Sequence, residues 1–158
     1  MPRNCRTMKG NAMKTPGRIG IFAAAVALIA AAAQAQSPSP KMQQLMASEA
    51  AKLAQDAENT SKECGTPIAA AFDWSGFQED ALGNQSAHMW CDSALEAIRR
   101  VCRDAPGKEA VKQKIKSVTC GFGPDRAISL KDGTVGYKIS FKPANDTDFV
   151  FESLENAL

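Results

Sequence analysis

The clearest pattern of apolar and polar positions predicts one long amphipathic helix, from about Ser86 to Arg103. Its apolar residues recur at steps of three and four, which is the spacing of one helix face. They are Ala87, Trp90, Cys91, Ala94, Leu95, Ile98, Val101 and Cys102. Polar residues, including His88, fall on the other face, so we expect the helix to bury its apolar face in the centre of the domain.

Weaker helical patterns lie on both sides of this long helix. A stripe of alanine, leucine and methionine runs through 41–59, but it is thin, so this helix is expected to pack lightly or to project. The short apolar run 68–72 is interpreted as a buried helix, followed by Trp74 and Phe77 as core residues. After a Pro-Gly break, a shorter helix is predicted over 108–116.

The pattern changes to period two in the last third of the chain, as expected for β-strands. Alternating segments lie at 117–122, 127–130 and 135–141, and Asp132-Gly133 between the last two is a strong hairpin signal. A final helix is predicted over 148–157. The sequence therefore predicts an α+β domain with N-terminal helices, one long central helix, a small antiparallel three-stranded sheet and a C-terminal helix.

Residues 1–35 have the pattern of a secretory signal peptide. A basic leader without acidic residues precedes an apolar run over 19–33, which ends in a small-x-small cleavage motif. We expect cleavage after Ala35, a short linker over 36–40 and a single domain over 41–158. The apolar run is shorter than the ~20 residues of a membrane-spanning helix, so no permanent membrane anchor is expected. The predicted location is therefore periplasmic or secreted.

The charge of the exported part differs from that of the whole chain. The sequence contains 19 basic and 17 acidic residues, and five of the basic residues lie in the leader. The exported part therefore has 14 basic residues against 17 acidic ones, a net charge of −3. Because such a domain lacks the attraction that general nucleic-acid binding requires, nucleic acid is not an expected partner.

Four of the five cysteines lie after the leader, at Cys64, Cys91, Cys102 and Cys120. An even number of cysteines in a small exported domain indicates two disulfides. Zinc is the weaker alternative, because the chain has no Cys-x-x-Cys pair and only one histidine. We therefore expect neither a bound metal nor a cofactor.

The predicted long helix limits how the four cysteines can pair. Cys91 and Cys102 would lie about 16 Å apart along its axis, whereas a disulfide needs Cα atoms within ~7 Å. This leaves Cys64–Cys102 with Cys91–Cys120, or Cys64–Cys91 with Cys102–Cys120. We prefer the first pairing, because the Pro-Gly break should fold the next helix back and return Cys120 towards Cys91.

His88 is the residue to consider first for catalysis, because it is the only histidine in the chain. It lies on the polar face of the long helix, close to Asp92. Ser75 and Ser86 offer hydroxyl groups, but neither lies in a nucleophile motif. We therefore interpret His88 as a solvated surface residue and predict no catalytic residue.

The most suggestive surface in the sequence is basic. Its candidate residues for an anionic partner are Arg99, Arg100, Arg103, Lys108, Lys112 and Lys116. An envelope protein or an anionic envelope component would suit such a surface. The alternative is that these residues are simply the solvated faces of two helices. No aromatic side chains alternate with them, which disfavours single-stranded nucleic acid.

The preferred functional hypothesis is a small exported, disulfide-stabilised protein that acts by binding rather than by catalysis. Two other hypotheses remain open. One is a secreted inhibitor of a hydrolase that presents the bridged loop over 64–77. The other is a small hydrolase that uses His88 together with an aspartate or a glutamate.

Overall fold

The computed structural model describes residues 38–82, 85–142 and 145–158, and the predicted signal peptide lies outside these ranges. The domain combines four α-helices with a four-stranded sheet. In chain order the elements are α1 (Pro40–Cys64), β1 (Ala69–Phe72), a 3-10 helix (Glu79–Leu82), α2 (Ala87–Val101), α3 (Ala105–Lys114), β2 (Ser117–Phe122), β3 (Ala127–Lys131), β4 (Thr134–Ile139) and α4 (Asp146–Ala157). The expected mixture of helix and sheet and the two expected disulfides are confirmed.

The sheet is mixed and has four strands in the order β1-β2-β4-β3, so the expected antiparallel three-stranded sheet is wrong. The hairpin itself forms, and Asp132 and Gly133 have the positive φ angles (51° and 82°) that a tight two-residue turn requires. After this turn, β4 enters between β3 and β2. It therefore pairs antiparallel with β3 and parallel with β2.

The fourth strand is β1, where a short buried helix was expected. Its main chain pairs in parallel with β2, and the flanking bonds run from Ala69 N–H to Lys116 O (3.1 Å) and from Asp73 N–H to Cys120 O (2.8 Å). A five-residue apolar run does not distinguish a strand from a buried helix by pattern. Pairing with a neighbouring strand outweighs the helix propensity of its three alanines.

α1 begins and ends at identifiable caps. The Ser39 hydroxyl accepts a hydrogen bond from the N–H of Met42, and Gly65 ends the helix with a left-handed φ of 69°. Its buried face is Glu49, Leu53, Ala57, Thr60 and Cys64. Two of these residues are polar, whereas Ala50 and Ala54 of the predicted stripe are exposed. The helix packs on the body through a face rotated from the predicted one.

α2 follows its predicted pattern closely and buries Ala87, Cys91, Ala94, Leu95, Ala97 and Ile98. The helix ends at Val101, and Asp104 then caps α3 by accepting a hydrogen bond from Gly107 N–H at 2.7 Å. A Cβ atom at Gly107 would lie 1.8 Å from the Val101 carbonyl oxygen. The tight break between the helices therefore requires glycine at this position.

The core lies between the helices and one face of the sheet. On this face, Val118, Cys120 and Phe122 of β2 are buried beside Val135, Tyr137 and Ile139 of β4. The opposite face carries small residues such as Thr119, Gly121 and Gly136, which are only partly buried. Within the described ranges the domain therefore has two layers, and no helix or strand covers the second face of the sheet, which we call the open face.

Candidate functional site

Two disulfides fix α2 to its neighbours. Cys64–Cys102 joins the carboxyl ends of α1 and α2, with Cα atoms 5.2 Å apart. Cys91–Cys120 joins the first half of α2 to β2, with Cα atoms 5.8 Å apart. This is the pairing that we preferred on the sequence. Each bridge of this kind stabilises a small domain by about 2–4 kcal/mol.

α1 and α2 run in the same direction, and polar side chains line their contact. We call this contact the interhelical polar cluster; it contains Glu49, Lys52, Asp56 and Thr60 of α1 with His88, Asp92, Glu96 and Arg99 of α2. Two contacts in the cluster join residues 39 positions apart, and the nearby disulfide joins residues 38 apart. The two helices therefore keep one constant register along their shared length.

Glu49 lies at the amino-terminal end of the cluster, and its side chain is only 2% exposed. One carboxylate oxygen accepts hydrogen bonds from the backbone N–H of His88 (2.9 Å) and from its ring Nδ1 (3.0 Å). The other oxygen accepts from Lys52 at 2.8 Å. Burial alone would raise the pKa of the Glu49 carboxyl, but these bonds outweigh burial and lower the pKa to about 2.

The backbone contact of Glu49 identifies its structural role. The first N–H groups of a helix have no partner within the helix, and a side chain usually supplies an acceptor. Ser86, at the N-cap of α2, makes no such hydrogen bond. Glu49 therefore caps α2 from a different helix, where its negative charge also suits the helix dipole.

His88 is not the solvated residue that the sequence analysis expected. Its side chain is 21% exposed, and its ring binds Glu49. A carboxylate on Nδ1 of a histidine also occurs in hydrolytic triads, but those sites add a nucleophile on the other ring nitrogen. Within the described ranges, no serine, threonine or cysteine side chain hydrogen-bonds to the ring. The same ranges contain no group of three side chains suited to hold a metal.

Two of the six candidate basic residues are engaged within the domain. Arg99 is 14% exposed and contacts Asp92 (3.0 Å) and Glu96 (2.8 Å), while Arg100 forms an ion pair with Asp148 on α4. The four that stay exposed are Arg103, Lys108, Lys112 and Lys116. Binding of an anionic partner by this smaller group stays a prediction.

A second candidate site lies where the three parallel strands end. The carboxyl ends of β1, β2 and β4 lie together at one end of the sheet. Open α/β sheets bind their ligands at this end. An aromatic cluster lies at the carboxyl end of these strands. It consists of Phe72, Trp74, Phe77, Trp90, Phe122 and Phe141. Trp74 and Phe77, which were expected in the core, are half-buried and pack against it.

The aromatic cluster borders a pocket of about 440 Å³, which we call the aromatic pocket. Its wall comes from the segments that follow the three strands: Gly76, Gln78, Ala81, Phe122, Gly123, Pro124, Ser140 and Phe141. Most of these side chains are apolar or absent, and the Gln78 amide and the Ser140 hydroxyl are the polar ones. This composition suits an apolar group held by a few hydrogen bonds.

Phe141 has an unusual backbone at the edge of the aromatic pocket. Its φ angle is 54°, in the left-handed region that a bulky residue rarely adopts. The ring stacks on Phe122 at 5.5 Å and meets the edge of Trp90 at 5.6 Å between centroids. These contacts hold the ring in place although its backbone conformation costs about 1–3 kcal/mol.

Sequence reasoning did not find the aromatic pocket, because its wall comes from three segments far apart in the chain. The only available signal was the concentration of aromatic residues at 72–77, which was interpreted as core. It also missed Glu49, because the apolar spacing of α1 gives no sign that a carboxylate occupies a buried position.

Comparisons of the chain with known protein families, with characterised proteins and with solved structures find no match. Among the helices of the described ranges, none is both long enough and apolar enough to cross a membrane.

Proposed function

We propose that this chain is an exported, disulfide-stabilised binding protein, and that the aromatic pocket receives an apolar group of its ligand. Two disulfides support export, because such bonds persist in oxidising compartments. The signal peptide over 1–35 remains a prediction. An envelope protein or an anionic envelope component remains the proposed class of partner.

The observation that carries this proposal is the left-handed backbone of Phe141 beside the pocket. Backbone strain of this kind concentrates at binding and active sites, where the surrounding structure maintains it. A phenylalanine that only fills the core does not need a left-handed backbone. Core packing alone therefore does not explain the conformation of Phe141. The location of the pocket at the carboxyl ends of three parallel strands is a second, independent support.

The two other hypotheses have less support. The segment 64–77, proposed as an inhibitory loop, is paired to the sheet through β1, and its Trp74 and Phe77 belong to the aromatic cluster, so part of it is not a free loop. For a hydrolase, Glu49 would have to orient His88 for catalysis. Its bond to the backbone N–H of His88 is instead accounted for by capping of α2.

Site-specific photo-crosslinking in the host envelope tests the proposal. A photoreactive residue at Gln78 lies at the pocket, whereas one at the exposed Lys112 on α3 serves as the control position. We expect a discrete cross-linked product from position 78. Ala81→Phe should abolish this product, because it places a large side chain in the wall of the pocket.

Ala51→Phe is the matched control, since it makes the same substitution at an exposed position on α1, away from the pocket. It should leave the cross-link unchanged. Cross-linking from position 112 alone would instead support the basic surface. A product from position 78 that is insensitive to Ala81→Phe would refute binding in the aromatic pocket.

A further inference from the structure

β1 is an edge strand, and half of its backbone hydrogen-bonding groups point away from the sheet. The N–H groups of Ala69 and Asp73 bond to β2. Because successive residues of a strand alternate in direction, the N–H and C=O of Ala70 and Phe72 point to the free side. Among the described residues, nothing hydrogen-bonds to these groups.

The side chain of Ser61 marks one end of this free edge. Its hydroxyl accepts a hydrogen bond from Ile68 N–H at 2.9 Å and lies 3.2 Å from the Ile68 carbonyl oxygen. Ser61 thus takes the position that a neighbouring strand would occupy beside Ile68. Ala54, two turns earlier on the same side of α1, is exposed, so the helix does not continue to cover the edge.

The edge of β1 has few of the features that prevent strands from associating: it is only four residues long, and Pro67 and Asp73 flank it. Natural edge strands carry charges, prolines or bulges that block pairing with another chain. β1 is Ala-Ala-Ala-Phe, without a charge or a proline. The other edge strand, β3, carries Lys131 and follows Arg126.

The free groups of β1 are arranged symmetrically about Ala71. In an antiparallel pair of two copies, Ala70 of one copy would lie opposite Phe72 of the other. Each such pair exchanges two hydrogen bonds, so four bonds form in total. On the open face Ala71 meets Ala71, and Ala69 of each copy lies opposite Asp73 of the other, so no like charges come together.

We propose that the free edge of β1 pairs antiparallel with the same edge of a second copy of this chain, about a two-fold axis at Ala71. The two sheets then join into one sheet of eight strands. The pairing involves one short strand from each copy, so it buries less surface than a standard interface and the association is weak. It does not depend on the aromatic pocket.

Disulfide trapping tests this geometry directly. Two Ala71 residues on the axis would have Cα atoms ~4.5 Å apart, which is within the range of a disulfide. Ala71→Cys should therefore form covalent dimers under mild oxidation. Ala69→Cys is the matched control, because the two copies of that residue would lie about 13 Å apart. Peptide mapping must show that both native disulfides are intact in each variant.

A second variant removes an outward N–H without touching the bonds to β2. In the Ala71→Cys background, Ala70→Pro should reduce the rate of dimer formation at least tenfold, because proline removes a donor on the free edge. Sedimentation equilibrium of the unmodified chain should show dimer that increases with concentration. If Ala70→Pro does not fold, the comparison of positions 71 and 69 still decides the question.

Three results would overturn the proposal. One is a chain that stays monomeric at all concentrations and does not cross-link at position 71. Another is equal cross-linking at positions 69 and 71, which indicates random collision. The third is preferred cross-linking through Ser129→Cys, which would place the contact at the edge of β3.

Discussion

Replacing Glu49 with glutamine would test whether this buried carboxylate joins α1 to α2. Glutamine has nearly the same shape and can still accept a hydrogen bond from His88 N–H. It lacks the negative charge, however, and its amide NH₂ faces either His88 or Lys52, which are both donors. The substitution therefore removes the charge-assisted bonds while it leaves the packing in place.

The expected size follows from the pKa of the Glu49 carboxyl, which is lowered from an ordinary value of 4.5 to about 2. Each unit corresponds to about 1.4 kcal/mol, so the carboxylate contributes up to about 3 kcal/mol at pH 7. Because the folded pKa is the lower one, this contribution is present above pH 4.5. It is lost as the pH falls from about 4.5 to about 2.

Urea denaturation of the oxidised protein between pH 7 and pH 2 would measure this contribution. We expect Glu49→Gln to be less stable by about 2–3 kcal/mol at pH 7, and the difference from wild type to disappear near pH 2. Glu58→Gln is the matched control on the same helix, because Glu58 forms an exposed pair with Lys62. A difference between Glu49→Gln and wild type that is independent of pH would refute the reasoning.

Three further predictions concern other parts of the domain. Gly107→Ala should destabilise it by about 1–3 kcal/mol in denaturant titrations, since the new Cβ would meet the Val101 carbonyl oxygen; unchanged stability would contradict the geometry. Replacing Cys64 and Cys102 together by serine should lower the free energy of unfolding by about 3 kcal/mol, and peptide mapping should recover this pair from the unmodified protein. Burial, together with a nearby carboxylate, raises the pKa of Asp56, so Asp56→Asn should raise the Tm at pH 7 in calorimetry.

The elements that the sequence predicts well are those whose signal is local. The three- and four-residue spacing of α2 continues over four turns, and the positive φ angles of Asp132 and Gly133 follow from their residue types. The exclusion of a Cys91–Cys102 disulfide also rests on a local feature. Once Cys91 and Cys102 lie on one helix, they cannot bond to each other.

The features that sequence reasoning missed depend on distant contacts. β1 is a strand because it pairs with β2, which lies 48 residues later in the chain. In this pairing Ala69 lies opposite Ser117. The sheet is mixed because β4 lies between β2 and β3. The alternation of apolar and polar residues along a strand does not indicate which strands will be its neighbours. The aromatic pocket likewise exists only after the ends of three strands have come together.

The contact between α1 and α2 shows how a polar residue can take a core position. Glu49 lies one turn before Leu53 on the buried face of α1, where an apolar residue would normally stand. It remains charged there because the start of α2 supplies a hydrogen-bond donor and a favourable dipole at that point. At the other end of the two helices, Cys64–Cys102 restrains the same relative movement by a covalent bond. Glu49 and the disulfide thus hold the register of one helix pair at opposite ends, and the hydrogen bond from Arg99 to Thr60 lies between them.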